Sequence, residues 1–417
     1  MGFERVLLAL VVAAALSPLS QSEGRLLRVR DALLRIEDVD GPVVPVLHQG
    51  ATQLFLERGA RHAKEARIDV VSVHAPEARR TVWSGARPFA WDVGDADADE
   101  TPEVLVGLPR AGTGGELRLV SGASGAHLRV HSAENGHDRF GASLAFLGDV
   151  DGDGCADYAA SAPQLAGRPI AGGWSVRDSS GTLGWVRVFS GADGKELWRT
   201  SGLADDQGFG SHVAALGDLD GDGSPDLLAQ AHPGSDDPLV LLSGASGKVI
   251  AHVPHRGWWA GAAGDLDADG VPDLFLETGD SEGSERFGSP TFLSGRSRQP
   301  LFDLRGRPGQ LWTSGEGSIA ALGDLDGDGH DDVGLGLASA EALRLEPDGR
   351  EVPCSGCVLV LSGRTHEVFL GVYGEPGTRA GLGMDLAALP DVSGDGHPDL
   401  VVTSWQHAYV FPGPGKR

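Results

Sequence analysis

The sequence predicts an all-β fold, a β-propeller of four-stranded blades, with seven blades favoured and six the alternative. Three observations lead there. A thirteen-residue pattern, LGDLDGDGSPDLL at residues 216–228, recurs along the chain. Between its copies lie runs of four to seven β-prone residues bounded by Gly, Asp and Pro, which form strands and not helices. Glycine supplies 63 of the 417 residues and aromatics only 6%, the balance of many short strands joined by tight turns.

The other copies are LGDVDGDGCADYA from Leu147, AGDLDADGVPDLF from Ala263, LGDLDGDGHDDVG from Leu322 and LPDVSGDGHPDLV from Leu389, with a decayed one, VGDADADETPEVL, from Val93. Their first acidic residues, Asp95, Asp149, Asp218, Asp265, Asp324 and Asp391, are separated by 54, 69, 47, 59 and 67 residues. A repeat of that size marks a solenoid or propeller, whose units bury a core only by stacking. Each unit reads alike: an apolar run, the acidic loop, a second apolar run, a variable loop, then a third strand ending in Ser-Gly (ELRLVSG, WVRVFSG, LVLLSG, PTFLSG, VLVLSG). A turn and a fourth strand follow, and four antiparallel strands per repeat make a propeller blade. The stretch IDVVSVHAPEARRTVWSG, residues 68–85, supplies the outer strands of one further blade. The chain ends soon after HAYVFPG, a third strand, so an N-terminal strand is expected to complete the last sheet.

The start, MGFERVLLALVVAAALSPLSQSEG, has a charged head, an apolar run at residues 6–16 and a small polar segment. That is the layout of a secretory signal peptide, assigned to residues 1–23, with 24–417 as one propeller domain. The apolar run is too short to span a bilayer, and no later segment approaches that length. A secreted, periplasmic or cell-surface protein is expected, with no membrane span in the mature chain. The net charge of -25 argues against nucleic acid and anionic membranes and favours cations as partners. Cys155 stands alone, while Cys354 and Cys357 form CSGC, a small disulfide loop or two free thiols and not a zinc site, for want of a partner pair.

The acidic loops carry the chemistry. Counting from the first Asp, positions 1, 3, 5 and 9 are Asp149, Asp151, Asp153 and Asp157; Asp218, Asp220, Asp222 and Asp226; Asp265, Asp267, Asp269 and Asp273; Asp324, Asp326, Asp328 and Asp332; Asp391, Ser393, Asp395 and Asp399. Position 7 varies freely (Cys155, Ser224, Val271, His330, His397), as expected of a residue that offers only its carbonyl. Two carboxylates about 4 Å apart near a protein surface repel by about 4 kcal/mol, a cost that a divalent ion between them removes. Oxygen-only ligands suit Ca²⁺. An EF-hand needs Glu at position 12, which here is Ala160, Ala229, Leu276, Leu335 or Val402, so these are β-loop-β sites. Five calcium sites are expected. A sixth, at Asp95, Asp97, Asp99 and Glu103, is weakened by Glu100 where the turn wants Gly.

At this point the repeats resemble the FG-GAP repeats of the integrin α-chain propeller and of many exported bacterial proteins. The FG pair stands as Phe140-Gly141 and Phe209-Gly210, with Leu382-Gly383 a near match, and GAP survives as SAP, GLP and AHP. The pair is missing ahead of the Asp265 and Asp324 loops. The resemblance covers roughly residues 67–412 and implies a calcium-stabilised propeller for adhesion or ligand binding, without catalysis of its own. On that reading the chain is no enzyme and has no catalytic residues. It binds an extracellular protein or glycan, or serves as a subunit of a surface assembly. Long variable loops between strands 2 and 3 would form the binding face, with Trp174, Trp258, Trp259 and Trp312 on or near it, or filling the channel and the gaps between blades. The alternative is a carbohydrate-active or hydrolytic enzyme that uses that same face. GDSEG at residues 279–283 matches a nucleophile pattern but lies between strands, and GADGKELW fits a quinoprotein repeat only at Trp198.

Overall fold

The computed structural model describes residues 25–414, apart from 40–41, 49–50, 60–62, 137, 171–172, 180–182, 203–207, 232–238, 256, 280–287, 305–317, 346–350 and 376–380. Seven antiparallel sheets form the blades. Blade 1 is Val43–His48, Ala51–Arg58, Glu65–Ser72 and Ala75–Ala86, and blade 2 is Ala90–Gly94, Glu103–Leu108, Glu116–Val120 and His127–Ser132. Blade 3 is Leu144–Gly148, Asp157–Ala162, Trp185–Phe189 and Glu196–Ser201, and blade 4 is His212–Ala215, Leu227–Gln230, Leu239–Leu242 and Val249–Val253. Blade 5 is Gly257–Gly264, Asp273–Gly279, Gly288–Leu293 and Pro300–Asp303, and blade 6 is Ile319–Gly323, Asp332–Leu345, Glu351–Leu361 and Val368–Tyr373. Blade 7 takes Leu386–Leu389, Asp399–Thr403 and His407–Phe411 from the C-terminal end. Its outer strand is Leu34–Glu37, with Leu34 opposite Val410 and Ile36 opposite Ala408, so the ring closes through its two ends as the sequence suggested.

Three features were not expected. Arg25–Arg28 runs parallel to Val368–Tyr373 as a fifth strand on blade 6 before the chain crosses to blade 7. The stretch read as a long loop in blade 3 contains a hairpin, Leu165–Ile170 with Gly173–Ser179. In blade 6 the variable segment extends strands 2 and 3 to 14 and 11 residues. Backbone amides that leave the sheet still need partners, and pairing these segments with each other supplies them.

Strand periodicity explains the core. Successive side chains point to opposite faces, so Leu227 and Ala229 pack toward blade 3 with Val186, Val188, Phe209 and Val213. Leu228 packs toward blade 5 with Leu274 and Leu276. Both faces of an inner sheet are therefore apolar, and every residue of Leu227–Gln230 and Leu239–Leu242 is buried. Phe140 and Phe209 of the FG pairs are fully buried. Gly141, at φ +82°, approaches the preceding blade so closely that a Cβ would lie 2.7 Å from the Glu116 carbonyl oxygen.

Side chains on the inner strands stitch neighbours together. Asp92 Oδ2 accepts from the Phe146 amide at 2.8 Å, and Ser143 Oγ accepts from the Val213 amide at 3.0 Å. His212 Nε2 faces the Ala260 carbonyl at 3.2 Å, and Asp385 Oδ2 accepts from the Val43 amide at 3.0 Å. The last of these joins blade 7 to blade 1 on the inside, as Leu34–Glu37 joins blade 7 to itself on the outside. Burial raises the Asp92 and Asp385 carboxyls to about 6.

Ile36 is fully buried among Val39, Leu54, Leu389, Val401 and Val410, where blade 7 meets blade 1. Ile36→Ala is expected to cost about 2–5 kcal/mol of unfolding free energy in urea titration. Loss of under 0.5 kcal/mol would show that the N-terminal strand does not close the ring.

Candidate metal centres

Each acidic loop joins strand 1 to strand 2, and blade 4 shows how it is built. Asp218 Oδ1 accepts from the Gly221 amide at 2.7 Å, and Oδ2 from the Gly223 amide at 2.9 Å. Asp220 Oδ1 accepts from Asp222 N at 3.0 Å, and Asp222 Oδ1 from Ser224 N at 2.9 Å. Gly221 and Gly223 stand at φ +80° and +92° with open space where a Cβ would be, so backbone conformation alone calls for glycine there.

Position 9 does something different. Asp226 is completely buried. Its Oδ2 accepts from Leu219 N at 2.7 Å and Asp220 N at 3.3 Å, and its Oδ1 from Gly244 N at 3.1 Å. Gly244 belongs to the Ser-Gly that ends strand 3. The same bond recurs from Asp157 to Gly191 at 2.8 Å, Asp273 to Gly295 at 2.9 Å, Asp332 to Gly363 at 3.2 Å and Asp399 to Gly413 at 2.9 Å. A Cβ on Gly244 would sit 1.8 Å from the Pro225 carbonyl oxygen, so no side chain fits. Sequence reading took Ser-Gly only as the end of a strand. Its recurrence after the loop in blades 3 to 6, at a spacing that varies with the variable loop, was the available signal that the two act together.

The loops bring together three carboxylates each: Asp95, Asp97 and Asp99; Asp149, Asp151 and Asp157; Asp218, Asp220 and Asp226; Asp265, Asp267 and Asp269; Asp324, Asp326 and Asp332. In each group one ligand atom per residue lies within 4.8 Å of the others, close enough to share one metal ion. The donor set fits a hard cation, being oxygen throughout. Asp95 Oδ1 is buried and has no hydrogen-bond partner, the condition of an acceptor that waits for an ion. Burial raises Asp226 and Asp273 to about 6 and Asp332 to about 7, with the charges of Asp220, Asp267 and Asp326 adding to it. In the last loop Asp391 accepts from Gly394 N at 2.6 Å, Gly396 N at 2.7 Å and Ser393 Oγ at 3.2 Å, and these bonds hold it below the usual carboxylate range.

The Asp95 loop keeps its shape although Glu100 stands where the turn wants Gly. Glu100 adopts φ +66° and Ala98 +58°, left-handed conformations that cost about 1–2 kcal/mol each for a residue with a side chain. Asp95 Oδ2 still accepts from Glu100 N at 3.0 Å, and buried Glu103 reaches Ala96 N at 2.9 Å in place of the position-9 aspartate. Burial, then the charges of Asp97, Asp99 and Asp95, push Glu103 up to about 8.

The opposite face, formed by the 2–3 and 4–1 connections, holds a cleft of about 1030 Å³ between blades 7 and 1. Glu37, Asp38, Arg58, Glu65, Arg67, Trp405, Gln406 and His407 line it. Arg58 is held by Asp38 at 2.9 Å and Asp69 at 2.8 Å. Trp405 Nε1 donates to Met384 Sδ at 2.9 Å, which orients the indole. His407 Nε2 lies 2.6 Å from an Arg35 nitrogen, and burial and that guanidinium hold the ring below its usual pKa. Trp405 was missed from sequence, where nothing distinguishes it from a core residue. Trp259 packs edge-on against His212, with ring centroids 5.1 Å apart, on the inner strands. The side chains of Trp174, Trp258 and Cys354, and all of Trp312, lie outside the described residues, as does most of GDSEG. Cys155 and Cys357 are buried.

No family model matches the chain. It is 29% identical to integrin alpha-V of Gallus gallus over 174 residues, 40% of this chain and 16% of that protein. It is 26% identical to integrin alpha-5 of Xenopus laevis over 228 residues, 53% and 17%. The chain thus spans about a sixth of the length of these curated relatives. Among solved structures, the exotype rhamnogalacturonan lyase YesX matches with a TM-score of 0.50 and 11% identity, and rhamnogalacturonan lyase YesW with 0.50 and 13%. Each match covers 91% of this chain and 72% of the lyase, and shows the fold alone. The protein is an FG-GAP-like, seven-bladed β-propeller. The expectation that the chain is no enzyme is corrected: chains of this fold include lyases, so the architecture does not mark a non-catalytic protein.

Positions 5 and 9 are expected to separate on mutation. Asp226→Ala strands three backbone amides, two of the loop and Gly244, and should cost about 3 kcal/mol or more of unfolding free energy even in chelator. Asp222→Ala should leave stability in chelator within about 1 kcal/mol and reduce only the gain on adding calcium. Equal losses for both in chelator would show that position 9 is no more structural than position 5.

Proposed function

We propose that the protein is an exported, calcium-loaded propeller that acts on an extracellular polysaccharide in the cleft between blades 7 and 1. One observation carries this reading: the cleft sets a fixed, half-buried indole among carboxylates and guanidinium groups. An aromatic face with a polar tip is the platform sugars stack on, and a few convergent polar groups fix their orientation. Arg67 suits the carboxylate of a uronic acid residue. Glu37 and Glu65 are the groups that would move a proton when a glycosidic link is cut. The fold shared with rhamnogalacturonan lyases makes rhamnogalacturonan the first substrate to try.

The similarity to integrin α chains and the all-oxygen clusters support calcium as the metal. The ion supplies charge neutralisation that stiffens the loops, on the face away from the cleft. The N-terminal leader pattern supports export.

The protein is incubated with rhamnogalacturonan and with neutral and acidic glycans of other composition. Binding is followed by calorimetry and cleavage by new reducing ends or the ultraviolet absorbance of an unsaturated product. Trp405→Ala should weaken binding by about tenfold. Binding that Trp405→Ala leaves unchanged would move the site elsewhere, binding without cleavage would reduce the role to recognition, and no binding to any glycan would overturn the proposal.

A further inference from the structure

The acidic loop of blade 5 differs from its neighbours at one oxygen. In blades 3, 4, 6 and 7 the position-5 carboxylate accepts at Oδ1 from the position-7 amide at 2.9–3.0 Å. Among the described residues Oδ2 then meets at most a neutral hydroxyl, Ser190 at 3.4 Å from Asp153 and Ser362 at 3.5 Å from Asp328. In blade 5 Asp269 Oδ1 accepts from Val271 N at 2.9 Å, but Oδ2 accepts from Arg296 Nε at 2.7 Å. Arg296 Nη2 also donates to the Asp269 carbonyl at 2.8 Å, so the guanidinium clasps one residue at two points. Arg296 follows Gly295, whose amide binds Asp273, so the latch that shapes the loop also delivers the cation to it. Blades 3 and 4 carry Ala192 and Ala245 at that place. Arg364, its counterpart in blade 6, is exposed and forms no ion pair with Asp328 among the described residues.

Two further departures occur in the same loop. Ala268 takes φ +56° where the loops of blades 3, 4, 6 and 7 have glycine. Asp331 of blade 6 accepts from the Asp265 amide at 2.8 Å through its side chain, in addition to donating its own amide to the Asp265 carbonyl at 3.0 Å, a backbone tie that Ala156 also makes to Asp95. Blade 5 is also one of the blades without the FG pair.

We infer that Arg296 is a built-in counter-cation that holds the blade 5 loop in shape without metal and makes it the weakest calcium site among blades 3 to 7. The inference rests on the calcium reading. An ion would have to share Asp269 with a charge already there, and like charges a few ångströms apart at a protein surface weaken binding by roughly tenfold.

The test is a calorimetric titration of the metal-free protein with calcium alone, beside thermal unfolding in chelator and in calcium. Arg296→Ala should tighten one class of site roughly tenfold. Asp269→Asn should cancel that gain in the double variant, and Arg364→Ala should change nothing. In chelator Arg296→Ala should lower the midpoint, because Asp265, Asp267 and Asp269 then repel unrelieved, and calcium should restore it. Because Arg296 is 60% exposed, its loss does not threaten folding. A titration of Arg296→Ala identical to the parent's, where the parent takes up calcium, would overturn the inference alone. Uptake by neither protein would overturn the calcium reading and this inference with it.

Discussion

A buried carboxylate with both oxygens on backbone amides sits beneath each acidic loop of blades 3 to 7, and the rest of the blade is arranged around it. In blade 4 Asp226 ties the loop amides of Leu219 and Asp220 to the turn amide of Gly244. Bonds from amides to an ionised acceptor are about twice as strong as neutral ones. They offset part of the cost of burying the charge, although Asp226 still stands at about 6. The amide needs an unobstructed approach, which is why glycine follows Ser243: any side chain would strike the Pro225 carbonyl. One interaction thereby sets the loop, the start of strand 2 and the turn after strand 3.

What the latch shapes, the blades then stack. Both faces of the inner strands are apolar, so no blade has a core of its own, and the stack is complete only when blade 7 meets blade 1. Leu34–Glu37 supplies the missing outer strand there, and Asp385 bonds to the Val43 amide at the inner edge. The ring is thus tied at both radii, with Ile36 sealing the layer between.

The same strand order separates the acidic loops from the cleft. Acidic loops and the 3–4 turns share one face, where carboxylates within 4.8 Å of one another concentrate much of the net charge of -25. The 2–3 and 4–1 connections share the other, where the cleft between blades 7 and 1 mixes carboxylates with Arg58, Arg67 and a fixed indole. A metal bound on the first face can stiffen the scaffold without entering the second.

Much of this was legible from local pattern. Repeating carboxylates, alternating apolar runs and the incomplete last repeat identified the propeller, its acidic loops and the closure by an N-terminal strand, because each depends on residues close in sequence or on a count. Other features depended on distance in space. Glu100 reads as an error in the Asp95 loop, yet the surrounding bonds hold it in a left-handed turn at φ +66°. Arg25–Arg28 finds blade 6 only because the ring brings its outer edge there. Trp405, Arg58 and Glu37 come from three separate stretches and share a cleft only once blades 7 and 1 are side by side. Sequence by itself determined the repeat and its chemistry, since a strand period and a carboxylate spacing are properties of neighbouring residues. Tertiary structure alone decided which oxygen meets which amide or cation, since those partners lie as far apart in the chain as Asp269 and Arg296, or Asp385 and Val43.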